Sequence, residues 1–393
     1  MAAVTAARAG APVVVLEAQE RPGRKILATG NGRCNLTNVN CSPGRYRGAD
    51  PRFAAAALDS FPVDRTVAFF ESLGVLTVVE AAGRVFPRTG QASTVLDALR
   101  FEAQRLGVEM RTQAAVEAVT AAGGLFRLRT GGGCLETRRV IFATGGRTMP
   151  GLGGSDRGIR MLHSLGHRAT SLYPVLVPLT TSCRFNRQLK GVKVEARVRL
   201  DVDGKTAGQD AGEVLFTDYG LSGPPVIQLS LAACTALQER KSVTLTLDLF
   251  ADREEEWLAG HIARRLADRP DTPVETAMIG LVHKRLIQVV LRETGVTDPH
   301  AGCRSVADDM CGKLAQLLKA WNFPVTGALS WNEAHVTAGG LSTAEYEPAT
   351  LESRLHPGLY ACGEMLDVTG ECGGYNLQWA WSSGHAAGLH AAR

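Results

Sequence analysis

The sequence lacks the features that mark several large protein classes. It has no dense block of Lys or Arg, because 43 basic residues stand against 39 acidic ones for a formal net charge of +4. This balance argues against a nucleic-acid partner and against binding to an anionic membrane. No apolar run reaches the length of a transmembrane helix. With 45% hydrophobic and 21% charged residues, the composition is that of an ordinary globular protein.

Paired cysteine and histidine motifs are also missing. The nine cysteines are scattered, without the CxxC pairs of a zinc ribbon or a thioredoxin-like site. We therefore expect no disulfide framework, and the pattern fits a reducing cytosol, so a cytoplasmic location is predicted. His163 and His167 stand four residues apart, but no Glu lies between them and Gly166 weakens the helix. We predict no metal site there.

A glycine-rich phosphate loop of the form G-x-G-x-x-G is absent as well. Residues 3 to 8 predict a fragment of helix that ends at Gly10, and residues 13 to 16 predict a buried parallel strand that ends at Glu17. A helix that runs into a parallel strand implies an earlier strand in the same βαβ unit. We therefore expect the first strand of the sheet to be missing from this sequence.

The rest of the chain alternates between segments with helical patterns and segments with strand patterns, and its length indicates more than one hydrophobic core. Residues 92 to 106 predict a helix capped by Ser93, and alternating apolar residues before Asp203-Gly204 predict an antiparallel hairpin. The predicted domains are an α/β domain (1–173 and 340–393), a β-rich inserted domain (174–252 and 321–339) and a helical inserted domain (253–320). The predicted fold class is α/β, with a doubly wound, Rossmann-like domain that lacks its first strand.

Glu17 and the segment after it carry the first chemical signal. An acid at the end of the second strand occupies the place where doubly wound folds bind the ribose hydroxyls of a dinucleotide. A carboxylate there disfavours a 2′-phosphate, so FAD or NAD fits better than NADP. Residues 21 to 38 are dense in Gly, Asn and cationic side chains, and we interpret them as a loop that offers backbone N–H groups and positive charge to a pyrophosphate.

The same segment carries a specific resemblance. Gly23-Arg24-Lys25 with Asn31-Gly32-Arg33-Cys34-Asn35-Leu36-Thr37-Asn38 closely resembles a signature of the BaiN/RdsA family of NAD(P)/FAD-dependent oxidoreductases. Further blocks that resemble the family are Gly83-Arg84-Val85-Phe86-Pro87, Ala143-Thr144-Gly145-Gly146, Leu215-Phe216-Thr217, Gly220-Leu221-Ser222-Gly223-Pro224, Thr337-Ala338-Gly339-Gly340, Gly363-Glu364-Met365-Leu366-Asp367 and Gly373-Gly374-Tyr375-Asn376-Leu377-Gln378-Trp379-Ala380.

The resemblance implies FAD as the cofactor of the α/β domain, hydride transfer through flavin N5, a small-molecule substrate and NAD(P)H as a transient electron donor. At the adenine end it implies that Glu17 binds the ribose and that the backbone of Val116 meets the adenine. It also implies that Thr144, Gly145 and Gly146 form a turn through which the chain passes close to the dinucleotide.

At the flavin end, the resemblance implies that Glu364 accepts a hydrogen bond from the ribityl chain. Asn376 and Leu377 would aim N–H groups and a helix dipole at the N1/O2 edge, where reduction builds negative charge. The predicted cofactor-binding residues are Glu17, Arg24, Lys25, Asn31, Gly32, Arg33, Cys34, Asn35, Val116, Thr144, Gly145, Gly146, Gly363, Glu364, Gly374, Asn376 and Leu377. No catalytic side chain and no oligomeric state are predicted.

The sequence departs from the family at its front. Members of the family begin with a strand and a glycine-rich turn that hold the pyrophosphate, whereas Met1 stands after that turn. We therefore expect an N-terminally truncated member that binds FAD weakly or not at all. The alternatives are a flavin-dependent amine oxidase, a cofactor-less non-catalytic remnant and an RNA-associated binding module. For Cys34, a structural role is favoured over a thiol that reacts with flavin or substrate.

Overall fold

A computed structural model describes residues 1–306 and 309–393. The chain divides into two compact units, which we call unit 1 (Met1–Pro174 and Ser330–Arg393) and unit 2 (Val175–Leu329). The division into three domains stays a prediction, and residues 307 and 308 of its helical domain lie outside the described residues. None of the described helices is both long enough and apolar enough to cross a membrane.

The secondary structure is numbered here in chain order. The strands are β1 (Val14–Leu16), β2 (Thr37–Asn38), β3 (Tyr46–Arg47), β4 (Thr77–Val79), β5 (Arg84–Pro87), β6 (Glu109–Arg111), β7 (Val116–Ala122), β8 (Leu125–Thr130), β9 (Gly133–Thr137), β10 (Val140–Phe142), β11 (Tyr173–Val175), β12 (Leu179–Thr181), β13 (Lys193–Val202), β14 (Lys205–Phe216), β15 (Gly220–Ser222), β16 (Val243–Asp248), β17 (Trp321–Ala328), β18 (Val336–Ala338), β19 (Leu359–Ala361) and β20 (Thr369–Gly370). The helices are α1 (Ala2–Arg8), α2 (Arg24–Ala28), α3 (Phe53–Ser60), α4 (Val63–Ser72), α5 (Ala92–Arg105), α6 (Arg157–Ser164), α7 (Asn186–Leu189), α8 (Pro224–Gln238), α9 (Glu255–Ala267), α10 (Val274–Ala277), α11 (Lys284–Glu293), α12 (Met310–Lys319) and α13 (Tyr375–Ala391).

Unit 1 is an α/β structure. Its parallel strands form two pairs, β1 with β6 and β10 with β19. Helix α13 packs against α1, α3 and β10, and its residues Trp379 and Trp381 are buried in the core. Two three-stranded antiparallel sheets, β2-β5-β4 and β7-β8-β9, and the antiparallel pair β3-β20 also belong to the unit. This arrangement agrees with the predicted α/β class.

Unit 2 contains a closed six-stranded barrel in the order β12-β15-β14-β13-β16-β17. The predicted hairpin is confirmed: β13 pairs with β14, and both turn residues, Asp203 (φ 47°) and Gly204 (φ 75°), lie in the left-handed region that a tight hairpin requires. Inward residues alternate with exposed ones along β13, so that Val198 and Leu200 are buried. Helices α9 to α12 follow β16 in the chain.

Three local predictions were wrong. Residues 21 to 38 are not all loop, because Gly23 (φ 76°) starts the short helix α2, whose interior residues are good helix formers. Ser93 does not cap α5: the chain enters that helix at Ala92, and the carbonyl of Gly32 accepts the Ala92 N–H at 2.8 Å. Strand β1 is less buried than expected, since Val14 is 43% exposed.

Candidate functional site

Glu364 lies at the centre of a hydrogen-bonded cluster in unit 1. It belongs to a single 3-10 turn, Gly363–Met365, directly after strand β19. Its Oε2 accepts hydrogen bonds from Lys25 Nζ at 2.7 Å and from the Gly146 N–H at 3.4 Å, and its Oε1 accepts from the Thr337 N–H at 2.6 Å. Because the side chain is only 20% exposed, its charge depends on these donors for stabilisation.

Lys25 joins this cluster from helix α2. Its Nζ donates to the hydroxyl of Thr148 at 2.7 Å as well as to Glu364, and its side chain is 30% exposed. The Thr148 hydroxyl in turn lies 3.4 Å from the main-chain oxygen of His335. One ammonium group therefore connects segments from the start, the middle and the end of unit 1.

Gly146 lets the segment after β10 come close to this cluster. A Cβ at Gly146 would stand 2.3 Å from Thr337 Oγ1 and 2.9 Å from Glu364 Cδ. Thr337 Oγ1 also accepts the Arg147 N–H at 2.8 Å. We expect the glycine to leave room for the cofactor. At Gly146, however, the space that a side chain would occupy is filled by Thr337 and Glu364. The neighbouring predicted residue Thr144 donates from its hydroxyl to Met365 Sδ at 3.2 Å.

The segment from Asn31 to Asn35 turns sharply through left-handed conformations at Asn31 (φ 56°), Gly32 (φ 82°) and Cys34 (φ 60°). Asn35 Oδ1 is buried and has no hydrogen-bond partner among the described residues. It lies beside Gly374, whose Cβ, if present, would be 2.9 Å away. A buried acceptor without a partner costs about 1–3 kcal/mol, so this position suits a ligand that brings an N–H donor.

Cys34 is fully buried against Leu36 and Leu377. Burial raises the pKa of its thiol to about 11. The thiol is therefore protonated at neutral pH and is a poor nucleophile. These observations support the structural role that is expected for Cys34.

The start of helix α13 supplies backbone donors. Gly374 (φ 102°) precedes the first turn, whose N–H groups have no acceptor within the helix, and the 17-residue helix adds the positive end of its dipole. The side chain of Asn376 is engaged with the protein, because its Oδ1 accepts the Gly370 N–H and its Nδ2 donates to the Gly370 carbonyl, both at 2.8 Å. The side chain of Leu377 packs into the core. What Asn376 and Leu377 can offer a ligand is their main chain.

The residues predicted for the adenine end are linked through Gln19, which sequence reasoning missed. Glu17 Oε1 accepts the Gln19 N–H at 2.8 Å, and Arg24 donates to Gln19 Oε1 at 2.9 Å. The Glu17 carbonyl accepts the Ala114 N–H at 2.9 Å, two residues before Val116. The structure thus brings Glu17, Arg24 and the region of Val116 together.

Arg33 is directed elsewhere. Its guanidinium forms an ion pair with Glu80 and lies 4.2 Å from the centre of the Phe86 ring. The pKa of the Glu80 carboxyl is lowered by the hydrogen bond from Arg33. Arg33 is therefore already paired with an acidic side chain of the protein, whereas an arginine that binds a phosphate is expected to have no such partner.

Sequence reasoning also left Thr148, Thr337 and His335 without a role. Thr337 stands in a block that resembles the family, and Thr148 follows the Thr144-Gly145-Gly146 turn. The sequence therefore indicates that both lie near predicted site residues, but it assigns neither of them a role. Their function in the cluster depends on contacts between segments that are 190 residues apart, such as Arg147 with Thr337. No spacing rule in the sequence identifies such contacts.

His163 and His167 both face protein groups. The main-chain oxygen of His167 bonds with His163 Nδ1 at 3.0 Å. His167 itself is fully buried, with Nδ1 3.1 Å from Glu345 Oε2 and Nε2 3.1 Å from Ser353 Oγ. Because Ser353 is 4% exposed, this Ser-His-Glu arrangement has no access for a substrate. Among the described residues, no three His, Cys, Asp or Glu side chains are grouped to hold a metal ion.

A profile of the HI0933-like protein Rossmann domain matches residues 1–390. The chain belongs to the HI0933-like family. It is an FAD-dependent oxidoreductase, and the resemblance to the BaiN/RdsA oxidoreductases is confirmed. The Rossmann-like fold class is confirmed with it.

Two relatives of this HI0933-like protein match over nearly their whole lengths. The "3-dehydro-bile acid delta(4,6)-reductase" of Clostridium scindens is 36% identical over 394 aligned residues, which cover 100% of this chain and 96% of the relative. The "Ribosomal RNA dihydrouridine synthase" of Escherichia coli is 31% identical, with 97% and 92% covered. Among solved structures, a 3-ketosteroid delta1-dehydrogenase from Sterolibacterium denitrificans matches with a TM-score of 0.51 at 13% identity, over 100% of this chain and 96% of that one. This last likeness concerns the fold alone.

Two features of the structure fit the FAD that the family requires. Asn35 Oδ1 is an unpaired acceptor, and an oxidised flavin ring carries one N–H donor, at N3. The first turn of α13 offers N–H groups and a positive dipole end close to Asn35, through Gly374. Both features lie in segments that the sequence predicts to bind the cofactor.

Proposed function

We propose that this FAD-dependent oxidoreductase reduces a carbon–carbon double bond that is conjugated with a carbonyl group in a small molecule, and that NAD(P)H supplies the electrons. The observation that carries the proposal is the 36% identity, over the whole chain, with a protein named as a bile-acid reductase. When bound, FAD supplies hydride at N5. The protein supplies binding, orientation and electrostatics around it.

The residues of the cluster have distinct roles in this proposal. Glu364 holds a ribityl hydroxyl, and Lys25 keeps that carboxylate in place through their 2.7 Å ion pair. Asn35 Oδ1 accepts the N3 hydrogen. The N–H groups at the start of α13 would stabilise negative charge at the neighbouring N1/O2 edge of the ring. Glu17 and Gln19 bind the adenine ribose.

The experiment uses the purified chain, supplemented with FAD and freed of unbound flavin. We expect NADH or NADPH to bleach the flavin band in the absence of oxygen, and a 3-oxo-4,6-diene bile acid to restore it with loss of the dienone absorbance. If primary amines bleach the flavin band and oxygen alone restores it, the amine oxidase is favoured instead. A chain that retains no flavin would favour the cofactor-less remnant.

Ribosomal RNA is the second candidate substrate, because two relatives are named as ribosomal RNA dihydrouridine synthases. One observation in unit 2 favours it: helix α11 carries three exposed cationic residues, Lys284, Arg285 and Arg292. Uracil also contains a double bond conjugated with a carbonyl. To test it, ribosomes from a strain that lacks the gene are treated with the reduced enzyme. If their RNA then loses uridine while the dienone does not react, RNA is the substrate and the small-molecule proposal is wrong.

A further inference from the structure

Unit 2 carries a group of exposed positive charges on α7, on the residues that flank α7 and on α11. We call the following six exposed residues the α7–α11 face: Arg184, Arg187, Lys190, Lys284, Arg285 and Arg292. Two acids neutralise part of it, because Glu293 pairs with Arg184 and Asp218 pairs with Lys190, each at 2.7 Å. Without these eight residues, 37 of the 43 basic and 37 of the 39 acidic residues remain, and their charges cancel. The face therefore accounts for the whole formal net charge of +4.

Contacts at both ends of α11 hold the face together. At its start, Arg285 Nη1 donates to the main-chain oxygen of Lys190 at 2.8 Å, and Lys190 directly follows α7. At its end, Glu293 accepts from Arg184, whose guanidinium also lies 4.7 Å from the centre of the Phe185 ring. The cations of the two segments thus form one surface, although the segments are about 100 positions apart in the sequence. This separation explains why the sequence shows no dense basic block.

Helix α11 presents its cations on one side and buries the other. Its apolar residues are at most 2% exposed, and they are Leu286, Ile287, Val289, Val290 and Leu291. Between the cations at its two ends, the exposed residue Gln288 adds an amide. From Arg285 to Arg292 the helix rises about 10 Å. A small anion with one charged group cannot reach both ends, so the face suits a partner that presents several charges in a row.

Four of the six cations are available to such a partner. Arg187, Lys284, Arg285 and Arg292 form no ion pair with any acid among residues 1–306 and 309–393. A further acid, Glu275, borders the face 3.5 Å from Gln288, but its other oxygen lies 2.9 Å from His300 Nδ1. Water alone solvates the four cations, and exchange of that water for phosphate oxygens is driven largely by the release of counterions.

We propose that the α7–α11 face binds the phosphate backbone of duplex RNA. Four of its six cations are arginines, whose planar guanidinium matches two phosphate oxygens at once. Duplex RNA is recognised mainly through its shape and its phosphates, because side chains cannot read its deep, narrow major groove. A membrane surface fits less well, since α7 and α11 expose no large apolar side chain that could enter the lipid. The inference goes beyond the proposed reductase function and does not depend on it.

The salt dependence of binding reports how many phosphates the face contacts. Four phosphate contacts predict a slope of about −3 to −4 when the logarithm of the association constant is plotted against the logarithm of the salt concentration. Between 50 and 200 mM salt, binding should then weaken about 10²-fold. Each cation that is removed from the face should make this slope smaller by about 1.

The test measures the binding of a fluorescent RNA duplex of about 20 base pairs to the FAD-loaded protein by fluorescence anisotropy. The variant combines Arg187→Ala, Lys284→Ala and Arg292→Ala. We expect it to bind at least about ten-fold more weakly at 50 mM salt, with a slope smaller by about 3. A second variant, with Arg187→Lys and Arg292→Lys, keeps the charge and should retain most of the binding.

The matched control removes the same charges from exposed positions of unit 2 outside the face, by Lys205→Ala, Arg264→Ala and Arg269→Ala. We expect this control to bind RNA within about two-fold of the unchanged protein. Equal weakening in the control and in the first variant would mean that only net charge matters, and the face would be wrong. The absence of RNA binding by the unchanged protein at 50 mM salt would also overturn the proposal.

Three competing partners are tested in the same way. Tighter binding to a DNA duplex of the same sequence, to polyglutamate or to vesicles of phosphatidylglycerol and phosphatidylcholine would replace RNA by that partner. Reduction of the dienone is measured on the same samples, and we expect it to be unchanged in all the variants. If no dienone is reduced but the RNA results are as expected, the proposed reductase function fails and the RNA-binding face stands.

Discussion

Lys25 shows how much one side chain can connect. Its ammonium joins helix α2 to Glu364, which is 339 positions away in the sequence, and to Thr148. Both partners of the ion pair are mostly shielded from water, at 30% and 20% exposure. Such a pair is worth more than one on the surface, where screening and side-chain entropy remove most of the gain.

Replacement of Lys25 by Met tests this contribution. We expect Lys25→Met to lower the free energy of unfolding by about 1 kcal/mol, because Glu364 keeps its backbone donors but loses its cation. Urea unfolding of the FAD-free protein measures the effect. The control is Lys193→Met, which removes the exposed pair with Glu213 and should cost less than about 0.5 kcal/mol. Equal costs would show that Lys25 is only a surface charge.

His167 is a residue whose titration we expect to affect stability. Burial lowers the pKa of His167 in the folded protein, although the Glu345 carboxylate opposes this effect. In the unfolded chain a histidine titrates near pH 6.5. As the pH falls below about 6.5, the unfolded state therefore binds a proton that the folded state does not, and the free energy of unfolding decreases until the lower, folded pKa is passed.

The measurement is urea unfolding at pH 7.5 and pH 5.5. We expect His167→Gln to show a smaller loss of stability over this interval than the unchanged protein, with a difference of at most about 1.4 kcal/mol per pH unit. His300→Gln serves as the exposed control. An identical loss in His167→Gln and in the unchanged protein would mean that His167 takes up its proton equally in both states.

Among the elements, helix α13 depends most on one glycine. Gly374 starts the helix at φ 102°, and a Cβ there would stand 2.5 Å from the Thr37 carbonyl oxygen and 2.9 Å from Asn35 Oδ1. Both the backbone angle and the space exclude a side chain. The helix can therefore begin at this point, beside the Asn35 segment, only with glycine.

The variant Gly374→Ala separates these two effects when it is compared with Gly166→Ala. Gly166 has φ +91° but no atom within 4 Å of its Cβ position. We expect Gly166→Ala to cost about 1–2 kcal/mol from backbone strain alone. Gly374→Ala should cost at least about 1 kcal/mol more, since neighbouring backbone must move, and should also reduce flavin content. Thermal unfolding and absorbance measure both quantities, and equal costs would show that the contact with Thr37 is easily relieved.

At the scale of the whole molecule, the predicted cofactor residues come from distant parts of unit 1. Segments 24–38, 144–148 and 363–377 meet at the Glu364 cluster or beside Gly374. A ligand held by all three stabilises them together, since it binds only when they are in place. At a free ligand concentration of one hundred times the dissociation constant, binding raises the free energy of unfolding by about 2.7 kcal/mol.

Hydrogen exchange with and without FAD tests this prediction. We expect slower exchange in those three segments and unchanged exchange in the β8–β9 hairpin, residues 125–137, which contributes none of the predicted ligands. The measurement is the deuterium uptake of peptides from each segment over minutes to hours. Protection of β8–β9 equal to that of the three segments would contradict a localised cofactor site.

Local patterns predicted many elements of this protein. The helix near residues 3 to 8, the Asp203-Gly204 turn and the alternation along β13 follow from residue type and spacing over a few positions. Errors occurred where a distant group replaced a local one. The carbonyl of Gly32 at the start of α5, in place of a cap by Ser93, is such a case.

The sequence by itself determined the family, the FAD chemistry and the segments that carry the candidate ligands, because these depend on residue types at short, fixed spacings. Only the tertiary structure decided that Lys25 pairs with Glu364, that Arg33 pairs with Glu80, and that Thr148, Thr337 and His335 share one cluster. The physical reason is distance along the chain. Contacts between residues hundreds of positions apart depend on how whole strands and helices pack, and no local pattern encodes that packing.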